Sequence, residues 1–255
     1  MLNRTECLVL RPVPVYWNGT FIFINIMAKK KEEKKDVLEN AEVLQEKLVG
    51  IEGWFENNPK IAIGIVAAVI LLVGGFFGYK YYNNNQDNQA QSEMFQAIRY
   101  FEADSLNLAL NGDGNNLGFI QIIEDYSSTK AGNLANYYAG IIYLKQGKFP
   151  LAIFHLEDFS SNDLLVQARA YSLIGDAYME QDNFDDAAKY YAKAASYKPN
   201  KEFTPTYLMK AALAYEKLNQ ADKAKAAYQT IIDEFWESSE YQNARKFKAR
   251  LEPNS

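Results

Sequence analysis

The chain has 255 residues, 48% of them apolar, a net charge of −5, one cysteine and one histidine. That length holds one large domain or two small ones, and mild acidity without a broad basic face excludes a nucleic-acid binder. Cys7 alone closes no internal disulfide, and His155 with no cysteine nearby makes no zinc site.

Residues 1–26 differ from everything after them. They carry no compact basic start running into an unbroken apolar stretch, and no small-residue cleavage site follows, so they are not a secretory signal. Pro12, Pro14, Asn18 and Gly19 break any helix there. Met27 then opens MAKKKEEKKD, a solvated start. The expectation is that Met27 is the initiator and 1–26 an upstream extension. Within the segment 27–60, Val37, Leu38, Ala41, Leu44, Leu48, Ile51 and Phe55 recur at three- and four-residue steps. This predicts an amphipathic helix over 36–57.

Residues 61–79, IAIGIVAAVILLVGGFFGY, contain no charge. At about 1.5 Å per residue they match the hydrocarbon thickness of a bilayer, which predicts a transmembrane helix. Lys60 and Lys80 bracket the run, and Trp54 and Tyr79 stand where interfacial aromatics belong. Gly74 and Gly78 form a GxxxG, a weak signal for helix pairing. Lysines 29, 30, 31, 34, 35, 47 and 60 precede the span, whereas after Lys80 the next cation is Arg99. The excess of cations places the N-terminus in the cytoplasm and the domain over 80–251 across the membrane. Tyr82 to Gln91, rich in Asn and Gln, is either a short spacer or the polar start of the next helix.

The remainder is periodic. From Ala168 to Lys201 the chain carries Tyr171, Gly175, Tyr178, Ala187, Tyr191, Ala194 and Pro199 at the marker spacing of a tetratricopeptide repeat (TPR), a helix–turn–helix unit of about 34 residues. The glycine and the alanine lie where the two helices of a unit approach most closely, the aromatics fill gaps, and the proline ends the second helix. The preceding unit, 133–167, repeats the pattern with Gly140, Tyr143 and Ala152, although Asn136 replaces the first aromatic. The following unit, 205–237, has Ala212, Tyr215 and Ala224, with Trp236 in place of the proline.

A diverged unit is expected near 88–128, around the turn NGDGNN. That turn lacks the alternating carboxylates and closing Glu of a calcium loop. A capping helix is expected over 238–251, its basic end Arg245, Lys246, Lys248 and Arg250 complementing the helix dipole. The predicted fold is all-α: a TPR solenoid preceded by a single transmembrane helix.

The first helix of each unit is expected to line a protein-binding groove. The candidate residues are Tyr137, Ile141, Leu144 and Lys145 in the first clear unit, with Leu134 beside them. The second unit offers Ser172, Asp176 and Met179, with Arg169, and the third Met209, Leu213 and Glu216. Methionines repack around differing partners at low cost. The lysine and asparagine positions by which some TPR domains clamp a chain-terminal carboxylate are not filled. No nucleophilic triad, phosphate-cradling loop or paired-cysteine site is present, so no catalytic residue, cofactor, metal or small-molecule substrate is expected. His155 is expected at a surface or packing position.

The order of parts resembles the YfgM-like family, the ancillary subunit of the bacterial SecYEG translocon. GWFENNPKIAIGI leading into the span and GYKYYNNNQDNQAQSEMF leaving it are similar to the membrane flanks of that family. The resemblance implies an inner-membrane scaffold with a periplasmic domain, sitting beside the translocon and contacting emerging clients or chaperones. The chain departs from the family in its cleaner repeat markers and longer lysine-rich arm. An envelope-assembly scaffold, serving outer-membrane protein insertion or cell-wall machinery, is the alternative.

Overall fold

A computed structural model describes residues 58–252. The expected extension over 1–26, the lysine-rich arm and the amphipathic helix over 36–57 with Trp54 lie outside the described residues. The described residues form ten α-helices and no strand: α1 (Pro59–Glu102), α2 (Leu106–Asn111), α3 (Phe119–Asp125), α4 (Lys130–Lys145), α5 (Phe149–Asp158), α6 (Val166–Met179), α7 (Phe184–Ser196), α8 (Thr204–Lys217), α9 (Ala221–Glu234) and α10 (Tyr241–Leu251). The chain divides into two compact units, 1–73 and 74–255.

In the first unit, α1 carries Ile63 and Leu71 at 70% and 75% exposure, with no protein covering them. The helix is long and apolar enough to cross a membrane, by length and composition. Tyr79 and Lys80 lie within it, exposed, as Lys60 does at its start. The Asn- and Gln-rich stretch after Lys80 is helical too, because α1 continues unbroken to Glu102.

The second unit is an all-helical TPR-like solenoid. Its core is a series of neighbouring clusters, as in a stack of repeats where each unit touches its neighbours. Ala90, Met94 and Ala97 of α1 pack on Phe119, Ile122 and Ile142. The next cluster joins Leu156 to Ile174, and a further one joins Ala187 and Tyr191 to Ala211 and Ala214. The last closes Tyr228 and Ile231 under Ala244 of α10.

Each first helix stops in the same way. Ser105 N–H donates to Tyr100 O at 2.8 Å, and Lys148, Asn183 and Gln220 N–H donate to Tyr143, Tyr178 and Tyr215 O at 2.9 Å. The residue before each donor is left-handed: Asp104, Gly147, Asp182 and Asn219 have φ of 55°, 72°, 55° and 57°. These are the residue types that tolerate that conformation, and the six-to-one hydrogen bond satisfies a carbonyl the helix end leaves open. The recurrence after Tyr100 shows that the α1–α2 corner is built like the repeat corners that follow.

Within a unit the helices meet at small residues. A Cβ on Gly140 would stand 2.5 Å from Leu156 Cγ, and one on Gly175 would stand 2.6 Å from Tyr191 Cε1. Ala152, Ala187 and Ala224 opposite are wholly buried. After α7 the chain turns out of the helix at Tyr197, and exposed Pro199 lies beyond it.

The NGDGNN turn closes on Asp113. Its Oδ1 accepts from Asn115 N–H at 2.8 Å and Asn116 N–H at 2.7 Å, and its Oδ2 accepts from Tyr100 Oη at 2.6 Å and Asn116 Nδ2 at 2.9 Å. The Tyr100 bond, then those from Asn116 and Asn115, hold this carboxyl far below the usual aspartate range.

Candidate protein-binding groove

A cavity of about 440 Å³ opens between the first helices of consecutive units, α4, α6 and α8. Tyr137 comes from α4; Arg169, Ser172 and Asp176 from α6; Tyr207 and Lys210 from α8. Leu165 and Phe203, the residues just before α6 and α8, are 44% and 38% exposed at its edge.

The floor is held by a half-buried polar network. Lys210 Nζ donates to both oxygens of Asp176, at 2.8 and 2.9 Å, and lies 3.3 Å from Ser172 Oγ. Tyr191 Oη donates to Asp176 Oδ1 at 2.7 Å. Burial, and then the Asp176 charge, push the Tyr191 phenol far above its ordinary range, so it remains a donor. An aspartate that accepts three such bonds, two from Lys210 and one from Tyr191, is satisfied without a ligand.

The next interface repeats the arrangement. Tyr228 Oη donates to Glu216 Oε1 at 2.6 Å, and Arg250 of α10 pairs with Glu216 Oε2. Asp176 and Glu216, each on a first helix, therefore take a tyrosine from their own unit and a cation from the next one or the capping helix. Lys145 is paired with Asp104 at 3.0 Å and lies over the Phe101 ring, tying α4 to the α1–α2 corner.

Of the ten groove candidates, the cavity gathers Tyr137, Ser172 and Asp176. Ile141 and Leu144 are half-buried against the cluster of Leu156 and Ile174. Met179 packs with Ala187 and Ala214, and Met209 with Ala212 and Tyr228. Leu213 is 38% exposed and away from the cavity lining. Sequence reasoning missed Leu165, Phe203, Tyr207 and Lys210. The signal for Lys210 is its position one repeat length, 34 residues, after Asp176.

His155 is a packing residue, 8% exposed, stacked on Tyr143 with ring centroids 5.3 Å apart and edge-on to Phe154. Its Nδ1 lies 2.8 Å from Asn136 Oδ1, which fixes Nδ1–H as the donor. Asn136 therefore replaces the usual aromatic at a position where the opposite helix offers a buried imidazole. Among the described residues no group of three or more His, Cys, Asp or Glu is placed to hold a metal.

Tetratricopeptide-repeat family profiles match residues 133–202 and residues 207–237. The chain is 31% identical over 120 residues to the uncharacterized protein ycf37 of Guillardia theta. That match covers 46% of this chain and 66% of the relative, slightly less than two thirds of its length. In fold it is similar to a crystal structure of nearly identical TPR-like repeats described as a Podosopora anserina kinesin light chain, with a TM-score of 0.48 and 14% identity over 65% of this chain and 85% of that one. Repeats of this kind imply a scaffold for protein–protein interaction.

Proposed function

We propose that the chain is a single-pass membrane protein whose repeat domain binds segments of other proteins in the groove across α4, α6 and α8. The observation that carries this reading is the cavity itself, with exposed Leu165, Phe203 and Arg169 around a floor whose other charges are mutually satisfied. A preorganised floor has little conformational freedom left to lose on binding, which favours recognition by surface complementarity. The role is binding, not catalysis.

The uncovered apolar stretch of α1 supports insertion in a bilayer, and the lysine excess before it supports a cytoplasmic N-terminus with the repeats outside. The resemblance of the membrane flanks to the YfgM-like family supports a place beside the translocon in a bacterial inner membrane, with chaperones or emerging clients as partners. In-cell photo-crosslinking from Leu165 and Phe203, both exposed in the cavity, tests this. Adducts with translocon subunits and secretory chaperones are expected. Adducts confined to outer-membrane insertion or cell-wall machinery would replace this reading with the envelope-assembly scaffold.

A further inference from the structure

Among the described residues, the cavity lining holds one cation without an ion-pair partner. Lys210 and Asp176 compensate each other at 2.8 Å. Arg169, exposed on α6, makes no ion pair with any described residue. Two phenols share its surroundings: burial raises the pKa of Tyr137 and of Tyr207, and in each the Arg169 charge works against that rise. Both rings are nearly buried, at 9% and 7% exposure. Tyr190, Tyr191 and Tyr228 each donate to a carboxylate, whereas the hydroxyls of Tyr137 and Tyr207 have no such partner among the described residues.

We propose that this cavity binds an acidic side chain within an extended segment of a partner protein, its carboxylate taken by Arg169 and the hydroxyls of Tyr137 and Tyr207. The inference rests on the groove being the docking surface. A guanidinium with hydroxyl donors beside it matches the planar acceptor geometry of a carboxylate, and charge-assisted bonds of this kind are the strong ones. One uncompensated cation calls for one anion; a strongly acidic stretch would meet Asp176 as well. Leu165 and Phe203 offer apolar contact to the residues on either side. Because α4, α6 and α8 follow one another along the solenoid, a strand laid across them continues past Arg169 in both directions. The group that reaches the guanidinium is then a side chain, not a chain end.

The test uses the full chain in detergent micelles and two fluorescent, C-terminally amidated peptide libraries. One carries a central Glu among randomised apolar and small residues; the other carries Gln at that position. Fluorescence anisotropy is expected to show the Glu library binding about tenfold more tightly. Arg169→Gln should abolish that preference, Arg169→Lys should restore part of it, and Tyr207→Phe, which keeps the packed ring, should reduce it. Equal binding of the two libraries by the wild-type chain overturns the inference and leaves the groove reading standing. Against a third library with Gln at that position and a free C-terminal carboxylate, tighter binding than to the Glu library moves the site from a side chain to a chain terminus and also overturns it. If neither library binds, the inference fails, and the crosslinks from Leu165 and Phe203 decide the groove reading separately.

Discussion

Asp176 and Lys210 are 34 residues apart in the chain, and their side chains meet at 2.8 Å across the boundary between consecutive repeats. The same sequence interval separates Glu216 from Arg250 and Thr206 from Glu240. A polar contact that recurs at the repeat length joins neighbours in the stack, where apolar packing alone would leave sliding of one unit on the next weakly opposed.

Removing one partner of the first pair leaves the other half-buried without compensation. Lys210→Met should lower the stability of the full chain by about 1 kcal/mol, and the double variant with Asp176→Asn should recover part of the loss. Urea denaturation of the four proteins of the cycle measures this. Losses that simply add would show that the pair contributes nothing beyond its two side chains.

Gly175 faces the Tyr191 ring so closely that a methyl group displaces it. Gly175→Ala gains about 1 kcal/mol of helix propensity. It also forces the ring away from Asp176, an overpacking cost of about 1–3 kcal/mol. The net expectation is destabilisation, read as a lower thermal midpoint, together with loss of the Asp176 contact. A more stable variant would mean that the ring moves freely.

His155 links stability to pH. Burial holds its pKa below the ordinary 6.5, with Asp158 acting weakly in the other direction. Asn136, Tyr143 and Phe154 complete its surroundings and carry no charge near neutrality. The folded state therefore keeps the imidazole neutral, while the unfolded chain binds a proton as pH falls through 6.5. Its contribution is fully present above that pH and is lost progressively below it, toward the depressed folded pKa. Urea midpoints should fall between pH 7.5 and 5.5, and His155→Gln should flatten that slope. An unchanged slope would assign the pH dependence to other groups.

Asp87 of α1 accepts from the Ala131 N–H at the start of α4, at 2.8 Å, and Asn83 exchanges two hydrogen bonds with Ser128 at 3.2 and 3.0 Å. These contacts seat the polar part of α1 on the α3–α4 corner. Asp87→Ala should cost about 1 kcal/mol, as loss of a helix cap does. It should also speed hydrogen exchange at the Ala131 amide, whereas Asp87→Asn keeps an acceptor and should exchange more slowly than Ala. Equal exchange in all three would show that water serves the amide as well.

Much of this was present in the order of residues alone. The all-helical repeat class follows from local markers, because a small residue, an aromatic or a helix stop acts on its own turn and its nearest neighbour whatever lies farther away. The apolar stretch of 61–79 is equally a local property, of length and composition. Which polar side chains remain available in the groove was decided only by the tertiary structure. Asp176 and Glu216 read as free acids on a helix face until Lys210 of the next unit and Arg250 of the capping helix arrive to occupy them. Asn136 reads as a broken marker until His155 is found opposite. Arg169 reads as one more surface cation until the cavity sets it beside Tyr137 and Tyr207, with no ion-pair partner among the described residues. Such pairings depend on where a neighbouring repeat places a long side chain. That is a matter of packing between units, and periodicity within one unit does not encode it.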